Sequence, residues 1–246
     1  MARWVDHESR KKQVLSMMIN KYIKEAAPVA SDDIAKEFSL SSATIRNILH
    51  ELEEEGFLIH PYPSGGRIPT DKGYRYYVDF LAYQIELLDE EKQRIIEEYK
   101  KEILRLEEIL EKTSEIVSEI THYAGIVSFL EWQDKIFYKG LSFILEQPEF
   151  NESSKIKHII KIIEEKQRIL DILNRDFKEK VKVYIGEEIG CEEIHDCALV
   201  VSNYCVRNKP QGKIAILGPK RMEYCHIISA LDYTASFLSE FLDSIL

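Results

Sequence analysis

The first 80 residues carry three helix-sized apolar stripes in succession, and this order constrains the fold more than any other feature. Apolar side chains recur every three or four residues in segments 9–26, 31–38 and 42–55, as on the inner face of a helix. Ser31 is placed to cap the second helix, and Ser41 or Ser42 is placed to cap the third. Gly56 is placed to end the third helix. The pattern predicts a small three-helix bundle.

Two short strand-like segments follow the third helix. Residues 57–60 are rich in apolar side chains, residues 61–66 are rich in proline, serine and glycine, and residues 67–68 form a returning strand. Thr70 is placed to cap a further helix. Three helices followed by strand, turn and strand are the order of a winged helix-turn-helix, which we predict for residues 1–80.

The outward face of the third helix has the side chains that read base pairs. In a helix-turn-helix the second helix of the motif enters the major groove of DNA. Arginine pairs with guanine, asparagine pairs with adenine, a threonine or alanine methyl touches thymine, and serine bonds phosphate. The predicted DNA contacts of this helix are Ser42, Ala43, Thr44, Arg46, Asn47 and His50. The alternative is a helix that closes a small bundle with a polar outer face.

The glycine-containing turn after the first strand strengthens the DNA-binding interpretation. The pair Gly65 and Gly66 would let the backbone approach a phosphate or a groove closely, and Arg67 follows it. An arginine in this position suits a narrow groove with strong negative potential. The predicted DNA contacts of this turn and of the next helix are Ser64, Gly65, Gly66, Arg67, Lys72 and Arg75. The alternative is a plain hairpin turn with a solvated arginine.

The charge of the chain is compatible with DNA binding only when it is taken by segment. The whole chain has a net charge of −10. Residues 1–80 contain 11 Lys+Arg and 12 Asp+Glu, a net charge of −1, and the remainder accounts for −9. DNA responds to the local field, so a near-neutral domain with a basic face binds weakly without a matching sequence.

The rest of the chain predicts a helical connection and a second domain. Residues 81–122 read as a long helical region whose heptad from Ile96 to Ile120 fits either a dimer coiled coil or an amphipathic helix packed on its own sheet. Residues 123–246 mix four predicted strands (124–130, 181–185, 198–205 and 213–217) with two predicted helices (154–173 and 221–246). The predicted fold class is α+β: an N-terminal winged helix-turn-helix joined by a long helix to a reduced α/β domain.

Several classes of function find no support in the sequence. The seven histidines have no metal-binding spacing, no catalytic or nucleotide-binding motif occurs, and the acidic run at 51–55 is typical of a solvated helix face. We therefore expect no enzyme, no metal and no cofactor. The four cysteines lack paired spacing and are expected to be free thiols. No signal peptide or membrane-sized apolar run occurs, so we expect a cytoplasmic protein.

Long motifs in this chain resemble the HrcA family of bacterial heat-inducible transcription repressors. Residues 42–47 with 51–56 are similar to the family's recognition helix, and residues 64–79 to its wing and following helix. The central segment 141–150 and the C-terminal segments 217–224 and 231–235 also resemble the family.

The resemblance implies a repressor of heat-shock chaperone operons. Such repressors bind an inverted-repeat operator in double-stranded DNA as homodimers, and the chaperonin GroEL assists their folding. It also implies that residues 123–246 form a GAF-like domain without enzymatic activity.

One departure from the family concerns dimerisation. Family members carry a long inserted dimerisation segment where this chain has only residues 131–140. The chain is thus a short form, and we expect its dimer to form through the helix 96–120, through the winged-helix domains or through an exposed sheet edge.

Two other functions remain open at the level of sequence. One is a ligand-sensing winged-helix regulator of other genes, whose second domain binds a small molecule. The other is an interaction scaffold in which the winged helix binds protein, and the exposed Thr44, Arg46 and Asn47 argue against it.

Overall fold

The structure is a computed structural model of the 246-residue chain. It describes residues 2–38, 40–62, 65–81, 89–99, 106–132, 135–175, 179–207 and 209–245. The chain divides into two compact units, Met1–Tyr83 and Gln84–Leu246. Each unit has its own core and is described by itself.

The first unit has the predicted order of elements. These are α1 (Ala2–Glu25), α2 (Ser31–Phe38), α3 (Ser42–Glu54), β1 (Leu58–Ile59), β2 (Ile68–Pro69) and α4 (Asp71–Leu81). The strands β1 and β2 pair antiparallel, with Leu58 opposite Pro69. Three helices followed by this two-stranded ribbon form a winged helix-turn-helix, so the sequence-based prediction is confirmed.

The core of the first unit forms where the apolar stripes of its helices meet. Val14, Met18 and Ile19 of α1 are fully buried, as are Ile45 and Leu49 of α3. Removing this apolar surface from water is the main force that holds the bundle together, because helices as short as α2 and α3, with 8 and 13 residues, are marginal by themselves. Gly56 ends α3 in the left-handed conformation, at φ 77°, which glycine adopts without strain.

The second unit is a five-stranded antiparallel sheet with helices on both faces. Its helices are α5 (Asp89–Tyr99), α6 (Leu106–Thr121), α7 (Leu141–Leu145), α8 (Ser153–Glu164), α9 (Lys166–Leu173) and α10 (Tyr224–Ile245). Its strands are β3 (Ala124–Phe129), β4 (Ile136–Lys139), β5 (Val181–Ile185), β6 (Cys197–Val206) and β7 (Lys209–Pro219), in the order β4-β3-β7-β6-β5. All pairings are antiparallel.

The heptad from Ile96 to Ile120 fitted either a dimer coiled coil or a helix packed on its own sheet, and for the residues of α6 the structure shows the second. The helix α6 packs on β3 and β4, and it lies beside α10, which covers β6. The heptad positions Leu110, Thr113 and Val117 are at most 1% exposed. They are therefore used against the sheet of their own unit and are not available as a seam between two chains. Position 103 of the heptad lies outside the described residues.

The helical region predicted for residues 81–122 contains α5 and α6, and residues 82–88 and 100–105 lie outside the described part of the chain. The structure differs from the predicted elements in two places. The predicted helix 154–173 is two helices, because Glu165 leaves the helical conformation at ψ 63°. Residues 136–139, which we predicted to be only a link, form β4, because a hairpin with β3 satisfies their backbone groups.

Candidate nucleic-acid interface

The N-terminal end of α3 is fixed by its own serine cap. Ser41 precedes the helix in an extended conformation, and its hydroxyl accepts a hydrogen bond from the Thr44 amide at 3.1 Å. The hydroxyl groups of Ser41 and Thr44 are 2.8 Å apart and share a second hydrogen bond. Ser42 is the first residue of the helix, beside backbone amides whose partial positive charge favours an anion such as phosphate.

Two opposite stripes run along α3. The buried stripe consists of Ile45, Ile48, Leu49 and Leu52, each at most 3% exposed. The exposed stripe consists of Ala43, Arg46, Asn47 and His50, at the same i, i+3, i+4, i+7 spacing. The side chains of Arg46 and Asn47 form no hydrogen bond or ion pair with any other residue that the structure describes. They are therefore available to an external partner.

The C-terminal half of α3 is joined to the wing through Glu53. The Glu53 carboxylate lies 2.8 Å from His60 Nδ1, just after β1, and accepts a hydrogen bond from Arg67 Nε at 3.2 Å, just before β2. Burial by itself raises the pKa of Glu53. The hydrogen bond from His60 and the charges of His60 and Arg67 outweigh burial and hold that pKa below its ordinary value. We call these three residues the Glu53 network.

The other acids of the 51–55 run are solvent-exposed, as predicted for a solvated face, and each also lies near a basic side chain. Glu55 accepts a hydrogen bond from Lys11 of α1 at 2.6 Å, and this bond is the main reason that the Lys11 pKa is raised. Glu51 lies 3.7 Å from His7, and Glu54 lies 3.6 Å from His50. Glu51 and Glu55 thus lie against α1, whereas Glu54 lies against His50 of α3 itself.

Arg67 does not have the position that we predicted for it. The residue is 8% exposed, and its guanidinium is committed to Glu53. Its backbone exchanges two hydrogen bonds of 2.9 Å with Val29, in the turn between α1 and α2. The prediction of an arginine that reaches into a DNA groove is thus corrected. Burial of a charged group requires a partner, and Glu53 supplies it.

The two wing glycines have different surroundings. A Cβ at Gly66 would lie 2.5 Å from the Val29 carbonyl, so glycine is needed there because the wing packs on the backbone of the α1–α2 turn. A Cβ at Gly65 would lie 3.4 Å from its nearest neighbour, the Tyr62 carbonyl oxygen. The close approach predicted for the pair is therefore made at Gly66, and within the protein. Ser64 lies outside the described residues.

The two predicted contacts on α4 lie apart from the exposed stripe of α3. Lys72 donates to the backbone carbonyl of Glu55 at 2.6 Å, and its ammonium sits 4.4 Å from the centre of the Phe57 ring. It therefore neutralises the C-terminal end of α3, about 20 Å along the helix from Ser42. Arg75 lies 3.4 Å from Asp79 one turn further along α4.

Sequence reasoning missed Glu53 and Tyr62 as candidate functional residues. Glu53 was taken as part of a charge run, and only its partners, 7 and 14 residues later, distinguish it from its neighbours. Tyr62, between two prolines in the wing, is 68% exposed. The Pro-Tyr-Pro sequence was the available signal for it.

A two-stranded wing behind a helix with an unoccupied Arg-Asn stripe defines a winged-helix, DNA-binding class of protein. Comparison with known families refines that class. Residues 7–79 match the winged helix-turn-helix transcription repressor, HrcA DNA-binding family, and residues 128–228 match the HrcA protein C terminal domain. The chain belongs to the HrcA family.

Individual relatives agree with the family matches. The chain is 28% identical to the heat-inducible transcription repressor HrcA of Pelotomaculum thermopropionicum, over 97% of each chain, and 27% identical to that of Desulforamulus reducens, over 97% of this chain and 98% of the relative. A crystal structure titled as a hypothetical protein shares the fold, with a TM-score of 0.83 and 18% identity over 96% of this chain and 99% of its own.

The relatives carry sequence that this chain lacks. The alignment with the Pelotomaculum protein spans 339 positions, whereas the whole chain has 246 residues. Nearly complete coverage of both proteins therefore requires a large gap in this chain. Such a gap agrees with the prediction from sequence that this chain is a short form of the family.

Three further findings bear on the expectations from sequence. All four cysteines are free thiols, as predicted. Within the described ranges, no group of His, Cys, Asp or Glu is arranged to hold a metal ion. No described helix combines the length and the apolar character that crossing a membrane requires.

Proposed function

We propose that this protein is a sequence-specific DNA-binding repressor of heat-shock chaperone operons. Its membership of a family of transcription repressors supports this reading, as do the relatives named heat-inducible transcription repressors. The observation that carries the proposal is the stripe of Ala43, Arg46, Asn47 and His50, exposed on the helix whose opposite face forms the core.

The chemistry of the stripe assigns a role to each side chain. Arg46 donates two hydrogen bonds to the major-groove edge of a guanine, and Asn47 makes the paired contact with an adenine. The methyl group of Ala43 packs on a thymine methyl. Ser42, with the amides at the start of α3, bonds a phosphate and sets the register of the helix on the duplex. His50, one turn further along, contacts the backbone beside the groove.

The residues outside α3 have supporting roles in this proposal. Arg75 contacts phosphate from α4 when it exchanges Asp79 for DNA. Gly65 places the wing backbone next to the duplex, since a side chain there is not needed for packing. Arg67, Gly66 and Lys72 support the interface from within, because each is committed to a contact inside the winged-helix unit.

The partners follow from the family resemblance. We propose that the protein acts as a homodimer on an inverted-repeat operator, because a two-fold DNA site is matched by a two-fold protein. We also propose that the chaperonin GroEL assists its folding and that it works in the cytoplasm. The repressed operons would then be those that encode chaperones.

The proposal is tested in two steps. Bound DNA is first selected from genomic fragments, and substitutions then separate recognition of bases from general electrostatic attraction to DNA. Genomic fragments retained by the protein should share an inverted repeat, and some should lie upstream of chaperone genes. Arg46→Ala should lose about 1–3 kcal/mol of preference for the selected site over a mutated one. Lys180→Ala, which removes an equal charge from an 83% exposed side chain in the second unit, should keep that preference. If Arg46→Ala kept the same preference for the selected site as the unsubstituted protein, direct recognition of bases by Arg46 of α3 would be refuted.

The ligand-sensing alternative would need a polar pocket in the second unit, and one cleft among its described residues is a candidate for this role. A cleft of about 260 Å³ in the second unit is lined by Lys155, His195 and Asp196 among others. Lys155 and Asp196 form an ion pair of 2.9 Å, and His195 lies 3.4 Å from the same carboxylate. These polar groups are thus engaged with one another and do not converge on an empty position.

A further inference from the structure

The tip of the wing exposes a large aromatic side chain that the roles assigned above do not use. Tyr62 is 68% exposed, more than any other large hydrophobic side chain among the described residues. A single exposed aromatic side chain is common on protein surfaces, so exposure alone does not identify a contact. The position of Tyr62 within the wing indicates which partner.

The backbone around Tyr62 is restrained before any partner binds. The Gly65 amide donates to the Tyr62 carbonyl at 3.0 Å and closes a turn. Pro61 has a fixed φ, and Pro63 restricts the residue before it to extended conformations. A backbone that is restrained before binding has less conformational entropy to lose when Tyr62 meets a partner.

The base of the wing is fixed to the helices of its own unit. The Glu53 network joins both strands of the wing to α3, and two backbone hydrogen bonds join Arg67 to Val29. Gly66 packs directly on the backbone of the α1–α2 turn. Tyr62 is therefore carried by the same rigid unit that positions the exposed stripe of α3.

The cations of the wing are already engaged. His60 and Arg67 are the basic side chains among the described residues 57–62 and 65–70, and both contact Glu53. Tyr62 lies in the same segment, and its phenol combines an apolar ring with a hydroxyl that donates to an acceptor. These two properties match the sugar–phosphate backbone of DNA, where a ring packs on a deoxyribose and a hydroxyl bonds a phosphate oxygen.

We propose that Tyr62 is a side-chain contact between the wing and DNA, made to the sugar–phosphate backbone beside the groove that α3 enters. The inference rests on the proposed function, which it deepens: the wing positions the protein through a neutral aromatic residue and not through an arginine. A backbone contact carries no base information. Its loss therefore weakens binding to the selected operator and to other duplexes by the same factor.

The experiment compares the full-length protein with Tyr62→Ala and Tyr62→Phe on a selected operator and on a mutated one. Tyr62→Ala should bind both duplexes about tenfold more weakly, and Tyr62→Phe, which keeps the ring, about threefold more weakly. The slope of affinity against salt should not change, because no charge is removed. Tyr138→Ala is the matched control, since Tyr138 is also exposed, at 37%, but lies on β4 in the second unit.

A footprint locates the contact. At saturating protein, hydroxyl-radical cleavage should show that Tyr62→Ala loses protection of a few deoxyriboses in each half-site and keeps the remainder. Unchanged melting temperature is expected, because the side chain is solvent-exposed. If the unsubstituted protein binds no duplex, the proposed function and this inference both fail. If the unsubstituted protein binds DNA and Tyr62→Ala has the same affinity and footprint, only the inference about Tyr62 fails. The inference also fails if Tyr62→Ala loses self-association but keeps its affinity for DNA.

Discussion

At the scale of single residues, the structure changes the meaning of the charged side chains near the wing. Arg67 and Glu53 both looked like surface groups, one for DNA and one for water. They instead form one partly buried network with His60, at distances of 2.8 and 3.2 Å. The side chains that we propose for DNA contact are those without a partner among the described residues, and Arg46 and Asn47 are the clearest of them.

The Glu53 network predicts a dependence of stability on pH. A carboxylate whose folded pKa lies below its ordinary value of 4.5 stabilises the protein above that pH and loses the contribution as pH falls through the folded pKa. Glu53→Gln should therefore lower the free energy of unfolding. The loss should be largest near neutral pH and should become smaller in acid. Denaturant titrations over a series of pH values measure this difference.

The control for that measurement is on the same helix. Glu54 is 68% exposed and lies 3.6 Å from His50, so Glu54→Gln should change stability little at any pH. A difference between Glu53→Gln and the unsubstituted protein that stays constant from neutral pH into acid would show that the Glu53 charge does not matter.

At the scale of elements, the wing is positioned by contacts to helices that precede it in the chain. β1 and β2 have only two residues each, which is too short for a ribbon that is stable by itself. Val29, Glu53 and the turn between α1 and α2 supply what the ribbon lacks. The wing therefore depends on the helical bundle for its own structure.

Substitution of the two wing glycines tests this dependence. Gly66→Ala places a methyl group 2.5 Å from the Val29 carbonyl and should destabilise the protein by about 1–3 kcal/mol, as overpacking against backbone does. Gly65→Ala meets its nearest atom at 3.4 Å and should cost about 0.5 kcal/mol or less. Thermal and denaturant unfolding of the two variants gives the comparison. Equal effects would show that the packing on Val29 is not a constraint.

At the scale of the whole molecule, the proposed homodimer would have to form without the segment that the longer relatives carry. The heptad positions Leu110, Thr113, Val117 and Ile120 of α6 are buried in their own unit. The edge strands of the sheet carry Lys139 on β4 and Lys182 on β5, and lysines on an edge oppose strand pairing between molecules. These observations argue against two of the dimer contacts expected from sequence, the helix 96–120 and the sheet edge. They do not argue against the third, which is made through the winged-helix unit.

A homodimer makes a prediction about operator length. Two reading helices on two half-sites bind far more tightly than one, since the second contact is made within a complex already formed. A duplex with both half-sites should bind about a hundredfold more tightly than a duplex with one. Titration of both duplexes by fluorescence anisotropy, with light scattering of the free protein, measures this. Equal affinities would indicate that each chain acts alone.

The sequence by itself determined the winged-helix order, the bounds of α3 to within a residue and the stripe of Ala43, Arg46, Asn47 and His50. These features are local, because helical periodicity, a serine cap and a terminal glycine act over a few residues. Only the tertiary structure decided that Arg67 is buried, that Gly66 packs on the protein, that α6 covers its own sheet and that Tyr62 is exposed. Each of those outcomes depends on a partner many residues away, or on its absence, and one sequence does not specify which distant side chains meet.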